Sequence, residues 1–168
     1  MTPCARPADL PGDAIAHPDP FLLQFTIDAT QVGTTVAHVS NVAYVAWLDR
    51  AAELHADALG FPRERLLAER MMWFVGRHEV DYRAEVFEHD ELVLATWVRD
   101  IRRIKSWRDT VVYRPADQRV VCTAATLWVL VDLESRSPRR FTDEMHSAFA
   151  PLHGARRDAT ARGTPKVH

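Results

Sequence analysis

The chain has 168 residues, 47% of them hydrophobic and 26% charged, which fits one folded domain with a sizeable core. A formal net charge of −2 provides no broad basic field for nucleic acid or an anionic membrane, so a phosphate-bearing ligand would need a local basic cluster. No run of about 18 apolar residues occurs, so no membrane span is expected, and the first residues lack the apolar stretch of a secretory signal. Two cysteines, Cys4 in the N-terminal stretch and Cys122 in a strand-like run, read as free thiols of a cytoplasmic protein.

Residues 1–20 are rich in proline and acids and read as a disordered extension or an arm on the surface. A first strand is expected over residues 21–30, followed by a loop rich in Thr and Gly over residues 31–39. Ser40 or Asn41 fits an N-cap, and the helix that follows is apolar nearly all round as far as Leu59, the mark of a helix buried in a core. Gly60 and Pro62 stop it. A short second helix is expected over "PRERLLAERM". Four strand-like runs come next: "MWFVGRHEVDYRAEV", "ELVLATWVRDI", "SWRDTVVYRP" and "RVVCTAATLWVLVDLES". Turns at "FEHDE" and "PADQ" separate two pairs of them, and "TDEMHSAF" reads as a short helix capped by Thr142. The domain is placed at residues 21–153, with a flexible tail over residues 154–168. The order predicts an α+β fold, an antiparallel sheet of about five strands wrapped around one long apolar helix. A cystatin-like sheet with the helix on one bent face is the structural alternative.

Residues 22–150 resemble the hot-dog-fold acyl-CoA thioesterases of the 4-hydroxybenzoyl-CoA thioesterase type. The segment "AHVSNVAYVAWLDRAA" keeps His38, Val39, Asn41, Tyr44, Trp47 and Asp49 at the spacing of that family's loop–helix signature. "HEVDYRAEVFEHDELVLATWV" and "WVLVDLESRSPRRF" are similar to its later strands. One departure matters. Where the family carries its catalytic aspartate this chain has Thr34, and Ala37 replaces the glycine before His38.

Thioester hydrolysis needs a donor for the developing oxyanion and a means of activating water. The resemblance points to the main-chain N–H of Asn41, at the helix start, as that donor. Thr34 does not ionise near neutrality but can orient a water. His38 lies in the same loop, and an imidazole can act as a general base near neutral pH. Asp49, two turns into the helix, is either a catalytic carboxylate or a buried, hydrogen-bonded acid. Glu53 lies on the same face, where two carboxylates would raise each other's pKa unless the face is solvated. Certain hot-dog thioesterases of polyketide pathways lack the carboxylate and use an Asn at the helix start, a place that Asn41 fits.

The family brings phosphate-binding Arg and Lys residues from the turn after its third strand, and the run "RDIRRIKSWRD" resembles it. Arg102, Arg103 and Lys105 carry over as binders of coenzyme A, or of the phosphopantetheine arm of an acyl carrier protein, unless the charges only protect a strand edge. The acyl pocket is expected between helix and sheet near Tyr44, Trp47, Met71, Met72, Trp73 and Phe74, residue types that serve equally as core. His78 and His89 lack ligand-like companions, so no metal is expected and no cofactor beyond the coenzyme A of the substrate. The resemblance implies a small-molecule acyl thioester as ligand and a homodimer, or a dimer of dimers, with sites at the protomer interface. Loss of the acid also suits a hot-dog protein that binds an acyl thioester without hydrolysing it. A dehydratase or hydratase would need a His–acid motif that is absent.

Overall fold

A computed structural model describes residues 1–152, so the tail expected over residues 154–168 lies outside the described residues. The elements in chain order are β1 (Thr2–Pro3), β2 (Phe21–Thr26), α1 (Asn41–Ala58), α2 (Arg63–Ala68), β3 (Met71–Tyr82), β4 (Glu91–Arg102), β5 (Lys105–Arg114), β6 (Arg119–Asp132) and α3 (Asp143–Phe149). Five long strands and the two-residue β1 form one antiparallel sheet in the order β1-β2-β4-β5-β6-β3. The α+β architecture is the expected one. The first strand stops at Thr26 rather than at residue 30, because Asp28 accepts from the Thr30 N–H and heads a short turn with Gln31.

α1 covers one face of the sheet. Tyr44, Trp47, Leu48, Ala51, Ala52 and Ala56 recur at helical spacing and are buried. Residues of one parity on β4 face the helix: Leu92, Leu94, Thr96 and Val98. The core beneath α1 has two apolar parts. One gathers Leu23, Ile27, Trp47, Leu92, Leu94 and Val112. The other gathers Ala56, Phe61, Met71, Val98, Leu130 and Phe149. Between them runs a buried polar seam of Thr96, Thr110, Thr126, Ser106 and Arg108. Thr96 Oγ1 donates to the Asp109 carbonyl and lies 3.1 Å from Thr110 Oγ1, while His78 Nδ1 lies 3.0 Å from Thr126 Oγ1. These partners let hydroxyls sit in a core that otherwise penalises them.

α1 is not buried all round. Val42 is 77% exposed and Val45 37%, and Ala46, Asp49 and Arg50 are also exposed. This stripe lies off the face of α1 that packs on the sheet, and a single helix–sheet layer leaves it uncovered.

Of the two forms expected for residues 1–20, a disordered extension or a surface arm, the structure has the arm, lying across the other face of the sheet. β1 pairs with β2, Tyr113 donates to Asp9 at 2.9 Å, and Arg6 donates to the Pro18 carbonyl. Ile15 is buried against Leu22, Val93, Ala95, Trp97 and Val111, with Cys4, Leu10 and Ala14 packed beside them. The apolar outer residues of β4 and β5 give the arm something to cover, which outweighs its proline-rich composition.

Candidate active site

Three of the candidate site residues, Thr34, His38 and Asn41, lie in the loop and first turn of α1. Ser40 occupies the N-cap in extended conformation, without a side-chain cap bond, and Asn41 is the first helical residue. Among the described residues nothing accepts from the Asn41 main-chain N–H, which leaves a donor at the positive end of an 18-residue helix. The preceding loop closes on itself through Gly33 N–H to the His38 carbonyl and His38 N–H to the Val36 carbonyl. Thr34 is exposed in that loop. His38 is half-buried, with Nδ1 3.6 Å from a Glu85 carboxylate oxygen, beyond hydrogen-bond reach.

A cavity of about 350 Å³ opens further along, between α1 and the sheet. The C-terminal half of α1 lines one wall with Asp49, Ala52, Glu53, Ala56 and Asp57. Trp73, Phe74, Trp128, Phe141 and Phe149 supply aromatic surface, and Ser106 and Arg108 add polar groups from β5. Of the expected pocket residues, Trp73, Met72 and Phe74 line this cavity. Tyr44, Trp47 and Met71 do not. They are core: Tyr44 and Trp47 pack ring to ring at 4.6 Å beneath the first half of α1, and Met71 belongs to the second apolar cluster.

Asp49 is not the buried, hydrogen-bonded acid considered from the sequence. It is exposed at the cavity rim and has no hydrogen bond or ion pair among the described residues. Nor is the Glu53 carboxyl raised. Arg50 bonds Glu53, and Arg63 stands 3.5 Å from it, so the Glu53 carboxyl is held below its ordinary range by the Arg50 hydrogen bond first.

The basic run divides according to strand alternation. Arg99 pairs with Asp109 at 3.0 Å and lies over the Trp107 ring. Arg102 donates to Asp100 at 2.8 Å. Arg103, at φ 52, turns the β4–β5 hairpin, and Lys105 begins β5; both are exposed. The tip adjoins the cavity: the Arg103 carbonyl accepts from the N–H of Phe141, whose side chain lines the wall. Arg108 turns inward. It is 5% exposed, and its Nη1 lies 2.9 Å from His55 Nδ1 and 3.2 Å from Thr96 Oγ1. Burial lowers the Arg108 pKa to about 10. Burial first, then the Arg108 charge, lowers the His55 pKa to about 3, so His55 is neutral and accepts from the guanidinium. Along the sequence Arg108 belongs to the basic run 99–109, and His55 lies on α1 with no ligand-like companion. The signal that Arg108 faces inward was present, because Ser106, Arg108, Thr110 and Val112 share one strand face, and Val112 is a core residue.

The sequence profile of the Thioesterase-like superfamily matches residues 27–149. No curated protein matches the chain. Solved structures share its fold at low identity. A 1,4-dihydroxy-2-naphthoyl-CoA thioesterase from Synechocystis aligns at 12% identity with a TM-score of 0.72, covering 80% of this chain and 98% of its own. A Staphylococcus aureus protein solved in complex with CoA aligns at 11% identity and TM-score 0.75, covering 89% of each chain. An acyl-ACP thioesterase from Bacteroides thetaiotaomicron aligns at 20% identity and TM-score 0.65, over 71% of this chain and 49% of its own. The chain thus spans about half the length of that protein, and 51% of a Lactobacillus plantarum structure it also matches. With the profile spanning most of the described domain and the sheet wrapped on a single long helix, the chain belongs to the thioesterase-like superfamily of hot-dog fold.

Proposed function

We propose that the protein hydrolyses an acyl thioester of coenzyme A or of an acyl carrier protein by direct attack of water. The observation that carries this reading is the apolar cavity beside α1 with an unpartnered carboxylate, Asp49, at its rim. The acyl group enters the cavity. The free N–H of Asn41 polarises the thioester carbonyl, and Asp49 takes the proton of the attacking water; the C–S bond then breaks and Asp49 returns the proton to the departing thiolate. Thr34 then has no need to ionise, and His38 serves the loop. Arg103 and Lys105 at the hairpin tip, with Arg102 beside them, meet the phosphates of the carrier.

Asn41 and Asp49 are eight residues apart, about 12 Å along one helix, too far to act on one carbonyl. Pairing of two protomers supplies the closeness. β3 is a twelve-residue edge with one face of its ladder open, whereas the opposite edge ends in the two-residue β1. Phe74 and Val75 are exposed on β3, and Tyr82 stacks edge-on against Tyr44 at 5.0 Å, so the exposed region continues onto α1 at Val42 and Val45. A two-fold axis beside Val45 sets Asn41 of one protomer against Asp49 of the other, since both lie four residues from it. This supports a homodimer with two sites at its interface.

Thiol release from short, long and aromatic acyl-CoAs tests the reading, with Asp49→Asn, Asn41→Ala and Asn41→Pro beside the wild type. Proline is tolerated at the first helical position and removes the N–H together with the side-chain amide, whereas alanine removes the side chain and keeps the N–H, so the difference between the two variants isolates the N–H. We expect turnover in the wild type, a loss of about 100-fold or more in Asn41→Pro, a comparable loss in Asp49→Asn, and a smaller one in Asn41→Ala. Coenzyme A binding without turnover of any thioester would instead favour a non-hydrolytic binder, the reading that Thr34 in place of an acid supports.

A further inference from the structure

The cavity beside α1 is apolar on most of its wall yet has a cation set into its sheet side. Only Nη1 of Arg108 is engaged by the protein, with His55 and Thr96; among the described residues Nε and Nη2 have no acceptor, and no carboxylate lies within ion-pair distance. Arg108 is nonetheless 5% exposed, and it lines the cavity with Ser106. A second donor is unmatched on the same wall, since the buried Nε1 of Trp128 finds no partner. Donors therefore outnumber acceptors on the sheet side of the cavity. The acids of the cavity, Asp49, Glu53 and Asp57, stand on the helix side; Asp49 and Asp57 are exposed, and Glu53 is already bound by Arg50 and Arg63. A buried guanidinium with an open fork is complemented by a carboxylate, which accepts two parallel hydrogen bonds and supplies the missing counter-charge. Apolar walls leading to it suit a methylene chain or ring.

We infer that the cavity selects acyl groups bearing a carboxylate at the end distal to the thioester, held by the free edge of the Arg108 guanidinium. The inference rests on the reading that the cavity receives the acyl part of a thioester, and it adds the class of that acyl group. His55 acts here as a positioning residue: neutral, it accepts from Nη1 and turns the remaining donors toward the cavity.

Binding of coenzyme A thioethers tests this apart from hydrolysis. Alkyl and ω-carboxyalkyl thioethers of equal chain length, in a series from four carbons upward, are compared by calorimetry on the wild type, Arg108→Met and Arg108→Lys. The expected result is an advantage of about tenfold or more for the ω-carboxy member at one chain length in the wild type. It should be lost in Arg108→Met and partly kept in Arg108→Lys. Equal affinities in the wild type at every length would overturn the inference, a comparison that stands even if a variant fails to fold. So would an advantage that survives in Arg108→Met, or an ω-hydroxyalkyl thioether binding as well as its carboxylate counterpart. In the thiol-release assay, dicarboxylic acyl-CoAs such as adipoyl-CoA should exceed hexanoyl-CoA in kcat/KM. Turnover without that preference refutes the inference and leaves the hydrolase reading intact. A carboxylate advantage in binding with no turnover of any thioester does the reverse.

Discussion

Acidification between pH 6.5 and 4.5 should destabilise this protein through one side chain, His55. Its ring is stacked on Phe21 at 4.8 Å, meets the edge of Phe149, and accepts from Arg108. Burial, the Arg108 charge and His17, in that order, hold its pKa at about 3, whereas an unfolded histidine titrates near 6.5. The unfolded chain therefore binds one more proton than the folded chain between those values. Stability contributed by this depressed pKa is complete above pH 6.5 and is lost as pH falls toward 3. Each pH unit removes up to 1.36 kcal/mol, so the fall to pH 4.5 removes about 2 to 3 kcal/mol. Asp28, Glu53, Asp117, Asp132 and Glu144 also sit below their ordinary values, but they lose their contributions mainly below this window and alike in the wild type and in His55→Gln. Urea unfolding of the wild type and of His55→Gln, across this window, reads the effect. Glutamine can still accept from Arg108 but cannot be protonated. Equal pH slopes for the two proteins would refute the argument and mean that His55 is solvated or already charged.

Deleting residues 1–16 should lower the urea midpoint and raise light scattering, because it uncovers Trp97, Val111 and Tyr113; an unchanged midpoint would show that the arm contributes nothing. Charge reversal at Arg103 and Lys105 should weaken coenzyme A binding and flatten its salt dependence, and reversal at Arg102 alone should do less, since Asp100 already neutralises it; calorimetry at two salt concentrations decides. Thr34→Asp should raise thiol release if the loop keeps the geometry of the family that the sequence resembles, and no gain with intact binding would place the water elsewhere.

The sequence made the fold legible because its strongest patterns were local. Val42 to Leu59 could only be a helix with a broad apolar surface, and the Val- and Thr-rich runs after Met71 could only pair as an antiparallel sheet. Two kinds of information were not local. The choice between disorder and an arm stayed open because the contacts of residues 1–20 are a two-residue strand and a few side chains, such as Ile15 and Leu10, packed on β4 and β5 about eighty or more residues away. The exposed stripe of α1 was unreadable for a related reason. Val42 and Val45 signal burial, and a single chain does not reveal whether its own sheet or a second copy covers them.

The site was half legible, and the missing half follows from strand geometry. Reading residues 99–109 as one basic patch treats charge as if it lay on a line, but alternate residues of a strand face opposite sides. Arg99 and Asp109 fall on the outer face, and Ser106 and Arg108 on the inner one. In the proposed mechanism Asp49 stands in for the acid absent at Thr34. Among the acids lining the cavity, Glu53 is bound by two arginines, while Asp49 stands free on the turn of α1 nearest the exposed stripe. That proposed mechanism requires the helix start of a second protomer to bring an N–H within reach of the same carbonyl, and pairing through the open edge of β3 would supply it.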